Sequence, residues 1–281
     1  MSGRKDAGMV FNPAAIAEAQ APAPRQVFNM SEALASIAAE KEAERIQVVS
    51  DTVQLGQLDK WSHSSLVSYE ECPYREFLKG VKRIRQESGP AAERGTLIHG
   101  LAEDFVQGNI SDLPPELLKI ETRVREVAEA YARGEVEVEQ EWGFDRAWNP
   151  GDWNMPGLWH RAKLDVFWRT SPTSGRIIDW KTGKRFNNEL KHGQQGLTYT
   201  IDAFLRHPEL EFVETEFAYV DHGEYAKSRY TRAQAMHFHP QLHNRAVMMT
   251  TATEFKPKPS FNACRWCYYA KSGDCDFVWT P

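Results

Sequence analysis

Ile177-Ile178-Asp179-Trp180-Lys181-Thr182-Gly183-Lys184 is the stretch on which the reading of this chain turns. Two apolar residues lead to an acid, a spacer and a lysine, and a glycine ends the run. Side chains alternate along an extended strand, so Asp179 and Lys181 share one side with Ile177, and Ile178 and Trp180 take the other. A carboxylate two residues from an ammonium suits phosphodiester hydrolysis. The acid can hold a divalent cation, and the lysine can orient the attacking water or stabilise developing negative charge. Surface strands often carry such a pair without function, so the neighbouring segments decide.

Immediately upstream, residues 158–169 read as a strand with Ala162, Leu164, Val166 and Trp168 on one face and Lys163, Asp165 and Phe167 on the other. Pro172-Thr173-Ser174-Gly175 is a turn, so the two strands form a hairpin that brings Asp165 towards Asp179. Before them, Glu135 to Trp142 alternates acid and apolar residues, as a strand with one wet face does. Its Glu139 and Glu141 read as solvated; of the two, Glu141 is the one considered for a second metal. Downstream, residues 189–205 read as a helix with Gln195, Tyr199 and Asp202 on neighbouring turns. A strand over 212–221, a partner strand over 226–231 and a helix over 232–252 complete the core.

Further out, Ser62 or Ser64 can cap a helix carrying Leu66 and Tyr69, and Pro73 can open the next turn over Phe77 and Leu78. Lys79, Lys82, Arg83 and Arg85 form a basic cluster, either a solvated face or a track for a nucleic-acid backbone. The segment from Arg94 reads as a helix with Leu97, Leu101 and Phe105 on adjoining turns, and His99 within it. A second amphipathic helix over 116–133 carries Leu117, Ile120, Val124, Val127 and Ala128. Residues 1–60 are set apart as a disordered or loosely attached arm, with few large apolar residues up to Val27. Within it, a short helix from Ser31 to Arg45 is either marginal and exposed or a docking segment for a partner.

The 281 residues suffice for one large domain or two small ones, and 41% hydrophobic with 26% charged residues is the balance of a globular protein. No apolar run reaches membrane-span length and no signal-peptide pattern opens the chain, so a cytoplasmic location, in a bacterial or infected host cell, is expected. A net charge of -5 excludes a generally basic nucleic-acid coat but leaves room for a local basic groove. No G-x-x-x-x-G-K-S/T stretch supplies an ATP motor. The four cysteines are Cys72, Cys264, Cys267 and Cys275, and Cys264-x-x-Cys267 is a ligand pair. A disulfide framework is unexpected in an intracellular chain of this size, and four thiolates bind a structural Zn²⁺ well.

Taken in order, Ser64, Leu66, Tyr69 and Cys72-Pro73, then Gly95-x-x-x-His99, Asp165, Asp179-x-Lys181 and Gln195-x-x-x-Tyr199, resemble the RecB-like branch of the PD-(D/E)XK nuclease superfamily. That branch includes the nuclease domains of RecB and AddB and the CRISPR-associated RecB-like exonucleases. The resemblance runs from about Ser62 to Phe277. It implies an α/β fold with a restriction-endonuclease-like core, a central mixed β-sheet flanked by helices. Residues 61–281 would be the nuclease domain, with a cysteine-metal staple in the tail over 257–281.

The resemblance also implies roles. Asp165, Asp179, His99 and the Trp180 carbonyl would bind Mg²⁺ or Mn²⁺, and manganese accepts an imidazole more readily. Lys181 would position or help deprotonate water, and Gln195 and Tyr199 would hold the scissile strand or the lysine. Lys79, Lys82, Arg83 and Lys184 would lie along the DNA. The split of one cysteine before the core and three after it would hold a 4Fe-4S cluster, with zinc as the alternative. The expected activity is a metal-dependent DNA exonuclease acting on single strands or ends, in recombination, repair or phage and mobile-element DNA processing. A recombination or helicase partner would dock on the N-terminal arm. The alternative is a non-catalytic module on the same fold that binds DNA ends or a partner.

Overall fold

The computed structural model describes residues 56–183, 185 and 188–280. The N-terminal helix expected from Ser31 and the DNA contact expected at Lys184 lie outside the described residues. Six strands form one mixed sheet: β1 (Val136–Phe144), β2 (Pro150–Asp152), β3 (His160–Ser171), β4 (Ser174–Lys181), β5 (Phe212–Tyr219) and β6 (Glu224–Thr231), in the order β2-β1-β3-β4-β5-β6. Only β4 and β5 run parallel; the other neighbours are antiparallel. The architecture is the expected α/β fold with a central mixed sheet flanked by helices.

The helices before the sheet are α1 (His63–Glu71), α2 (Pro73–Glu76), which runs into a π-helical turn at Phe77–Val81, α3 (Pro90–Gln107), and α4 (Glu121–Ala132), which follows a 3-10 turn at Pro115–Ile120. After β4 come α5 (Glu189–Arg206), α6 (Arg232–Thr250) and two short tail helices, α7 (Phe261–Cys264) and α8 (Tyr268–Ser272). Ser62 caps α1 through a reciprocal capping box with Ser65, and Thr231 does the same for α6 with Gln234. Pro73 opens α2 at its first turn, where its missing N–H is not needed.

Two apolar clusters cover the sheet. One joins Ile98, Ala102, Val124 and Val127 of α3 and α4 to Val136, Val166, Ile178 and Trp180 of the strands. The other joins Leu66, Ile201, Phe204, Leu242 and Met249 of α1, α5 and α6 to Trp142, Leu164, Phe167 and Ile177. The buried side of α3 is Ile98, Ala102, Phe105 and Val106, not the expected Leu97, which is 55% exposed. The difference is one step around the helix, and Leu97 and Ile98 are equally apolar in the sequence. At Gly196 a Cβ would meet Thr215 Oγ1 at 2.9 Å and Phe217 at 3.1 Å, so α5 lies closer to β5 than a side chain there would allow.

The expected faces of β3 are half right. Ala162 and Leu164 pack in one cluster with Phe167, whereas Val166 and Trp168 pack in the other. The alternation therefore changes sides at Asp165. On β1 the ladder pairs Val138 with Val166 and Gln140 with Leu164 but skips Glu139, whose φ is +50°. On the other side, the β3–β4 ladder ends at Val166–Ile178. From there β3 stays with β1 down to His160–Phe144, and β4 stays with β5 up to Lys181–Tyr219. The sheet forks, and Asp165 and Asp179 stand where it divides.

Candidate active site

A cleft of about 460 Å³ lies at this fork, lined by His99, Glu139, Lys163, Asp165, Asp179, Lys181, Gln195 and Tyr199. All six side chains expected from the sequence as catalytic are therefore brought together, from α3, β3, β4 and α5. Where the ladder stops, Trp180 N donates to Asp165 Oδ2 at 2.8 Å, so a carboxylate replaces the lost strand partner. His99 spans the same junction. Its Nε2 lies 2.8 Å from the Trp180 carbonyl oxygen and its Nδ1 3.1 Å from Asp165 Oδ1. A doubly protonated imidazole donates to both.

The titration of these groups follows from their burial and charge. Burial works against a charged His99, but the hydrogen bond and negative charge of Asp165, with Asp179 beyond, raise its pKa to about 9. Burial and then the charge of Asp179 push the Asp165 carboxyl up, against the pull of His99. Asp179 is 6% exposed, and Lys181 Nζ donates to its Oδ1 at 2.8 Å with Oδ2 at the same distance. The Lys181 ammonium also sits over the Phe217 ring. Gln195 Nε2 donates to Tyr199 Oη at 2.9 Å. Burial, then the charge of Asp179, raises the Tyr199 phenol, so it stays a neutral donor. Asp202, one turn further along α5, turns away from the cleft into a buried pair with His160 at 3.0 Å.

Sequence reasoning passed over Glu139. His99, Glu139 and Asp165 each offer a ligand atom, all within 4.8 Å of one another, the one such group of three or more among the described residues. Two carboxylates and an imidazole suit a hard or borderline divalent cation, and a cation there would relieve the charge crowding at Asp165. The residues fit such an ion. Glu141, the acid considered for a second metal, is instead exposed. The positive φ at Glu139 turns its side chain out of the simple alternation that grouped it with Glu141. Lys163 Nζ holds Glu139 at 2.8 Å.

The other expected residues lie elsewhere. Lys79, Lys82 and Arg83 are exposed after α2, and Lys79 lines a pocket with Trp266 and Cys267 of the tail rather than the cleft. The four cysteines are free thiols lining one small cavity beneath α2 and the tail helices. Burial, then the nearness of the other three sulfurs, raises the Cys275 thiol.

Mn²⁺ titration by calorimetry separates the two glutamates. Glu139→Gln is expected to weaken Mn²⁺ binding by about tenfold or more, the scale for removing a group around a metal. Glu141→Gln is expected to leave it unchanged. Unchanged Mn²⁺ binding in Glu139→Gln would remove Glu139 from the site.

Among solved structures, SSO0001 is similar over 88% of this chain and 98% of its own, at 16% identity and a TM-score of 0.41. The alkaline exonuclease LHK-Exo from Laribacter hongkongensis is similar over 68% of this chain and 87% of its own, at 15% identity and a TM-score of 0.37. LHK-Exo in complex with dAMP gives 15% identity and a TM-score of 0.36, over 75% of this chain and 90% of that one. No curated protein matches the chain. The family described as the PD-(D/E)XK nuclease superfamily matches residues 60–166 and 137–272, and the chain belongs to that superfamily.

Proposed function

We propose that this protein is a divalent-metal-dependent deoxyribonuclease, an exonuclease of the RecB-like branch acting on single strands or DNA ends. The carrying observation is the Asp179–Lys181 ion pair set beside the His99–Asp165–Trp180 junction in one cleft. In this reading His99, giving up a proton when the cation binds, joins Asp165, Asp179 and the Trp180 carbonyl in holding it, with Glu139 added to that set. A bound Mg²⁺ or Mn²⁺ supplies Lewis-acid polarisation of the phosphoryl oxygens. Lys181 orients the attacking water and stabilises the negative charge that develops on the phosphate, while Asp179 fixes the ammonium in place. Gln195 and Tyr199, hydrogen-bonded to each other, hold the strand being cut or the lysine. The DNA contacts expected at Lys79, Lys82, Arg83 and Lys184 stay part of this reading; the first three are exposed, away from the cleft lining.

The same reading takes residues 61–281 as the nuclease domain and the tail over 257–281 as a metal-held staple. Four thiols around one cavity, one from the N-cap of α2 and three from the tail, are the donor set that a 4Fe-4S cluster requires. The tail is held independently by Tyr269, whose hydroxyl donates to the Ile84 carbonyl at 3.1 Å, and by Lys258, which donates to the Glu70 carbonyl at 3.2 Å. A recombination or helicase partner would meet the segment read from the sequence as an arm over residues 1–60, although its last residues pack on the domain, with Leu58 buried and Gln57 donating to the Thr251 carbonyl.

Release of nucleotides from 5′- and 3′-end-labelled single-stranded DNA with Mn²⁺ tests the activity. Asp179→Asn and Asp165→Asn are expected to abolish cleavage. Lys181→Ala is expected to lower the rate by several orders of magnitude with DNA binding largely kept, because the lysine acts mainly in the transition state. Full cleavage by Asp179→Asn would overturn the assignment, and DNA binding without any cleavage by the native chain would favour a non-catalytic module.

Protein purified without oxygen is expected to be brown, to absorb near ~400 nm, and to hold iron and sulfide at about four of each per chain. Cys72→Ser is expected to lower thermal stability and soluble yield, since metal binding adds to folding free energy. A colourless protein with one zinc would refute the cluster but keep the staple, and four readily alkylated thiols in the folded protein would refute both.

A further inference from the structure

A second pocket, of about 320 Å³, lies beyond the fork at the start of β3, lined by Asp59, Lys60, Arg146, Asn154, Trp159 and Arg161 among others. The segment bearing Asp59 and Lys60 is fixed there by Trp61. Its N–H donates to the Trp159 carbonyl at 2.9 Å, and its carbonyl accepts from Arg161 N at 2.9 Å. Arg146 follows β1 and is only 7% exposed, with its Nη1 buried and without a hydrogen-bond partner. Arg161 Nε is buried and unpartnered as well. Its Nη2 reaches only the Trp153 carbonyl, at 3.5 Å. Each guanidinium lies against an indole, Arg146 at 5.9 Å from the Trp159 ring and Arg161 at 4.8 Å from the Trp153 ring. The pocket's one carboxylate, Asp59, is 3.8 Å from Lys60. Among the described residues no carboxylate forms an ion pair with either arginine.

Burying a guanidinium N–H without an acceptor is costly, so a fold that leaves Arg146 Nη1 and Arg161 Nε buried and unpaired in one pocket is arranged for an anion. Three cations against one carboxylate, with forked N–H donors, match a phosphate best. Arg161, Lys163 and Asp165 alternate along β3, and Lys163 already lines the catalytic cleft. The four residue steps from Arg161 to Asp165 span about 13 Å, or about four nucleotides at ~3.4 Å per stacked step. We propose that Lys60, Arg146 and Arg161 form a second phosphate subsite that grips the substrate strand several nucleotides from the bond being cut. The proposal rests on the nuclease reading for the source of the phosphate; the pocket's affinity for phosphate does not.

Two arms test it, with wild type, Arg161→Gln, Lys60→Gln and Arg146→Gln, each checked for folding by circular dichroism. In the first, inorganic phosphate is expected to raise the melting temperature of the wild type saturably, and at least Lys60→Gln and Arg161→Gln, which alter less buried positions than Arg146, are expected to lose that shift. In the second, fluorescence anisotropy with Ca²⁺ in place of Mn²⁺ measures a labelled twelve-nucleotide thymidine strand against a three-nucleotide one. The folded variants are expected to lose about tenfold in affinity for the long strand and little for the short one, with a salt slope shallower by about 0.7 per lost contact. Unchanged long-strand affinity in every folded variant would overturn the strand assignment, and a phosphate shift lost alongside it would mark a free phosphate compound as the source. No phosphate shift in the wild type would overturn the subsite itself. A wild type that shows the phosphate shift but binds no DNA would sink the nuclease reading and, with it, the strand as source.

Discussion

The hydrogen bond from the Trp180 amide to the Asp165 carboxylate is the contact on which the rest of the site depends. A sheet that divides between two strands leaves backbone donors and acceptors without partners, and buried ones must be satisfied. Here the acid itself takes the donor, and His99 takes the carbonyl on the other side of the same residue. The cost of opening the sheet is thereby met with the groups that the chemistry needs. A cleft between strands is also stiffer than one between loops, because each prong remains paired on its outer side, β3 with β1 and β4 with β5.

The helices serve that fork. Ile98 and Ala102 are buried under the β3–β4 hairpin, so His99, next to Ile98, is carried to the junction on a fixed helix. On the opposite face α5 presents Gln195 and Tyr199 to the cleft while Thr200, Ile201 and Phe204 point into the core. Gly196 allows that helix to approach β5. Asp202 is used differently: it partners His160, which is stacked on Trp61 at 3.8 Å, and so ties α5 to the far end of β3. The same Trp61 segment positions the Lys60–Arg161 pocket, so packing at that end and the second basic pocket have one structural origin.

Local rules made much of this legible. The acid-x-lysine spacing gave Asp179 and Lys181 a common side, the Pro172–Gly175 turn implied the hairpin, and helical spacing placed Gln195 over Tyr199. His99 and Asp165 gained their meaning from order along the chain, since neither has a local signature. Glu139 was hidden because it stands in an alternating Glu-Val-Glu run, and only a backbone departure at φ +50° separates it from its solvated neighbours. The pocket of Lys60, Arg146 and Arg161 was hidden for another reason. Its residues are scattered over about a hundred positions and meet only through the Trp61 bridge to β3. Beyond Asp165 the faces of β3 depart from the expected alternation for the same cause as Glu139: strict period-two reasoning cannot anticipate a strand that changes sides.

The central claim is that the fork at Asp165 and Trp180 is a cation site with His99 as a ligand. Pulsed electron paramagnetic resonance of the Mn²⁺-loaded protein tests it directly. The account predicts a ¹⁴N coupling from a directly bound imidazole, present in the wild type and lost in His99→Ala. Mn²⁺ bound without nitrogen coupling, or with the same coupling after His99→Ala, would contradict it.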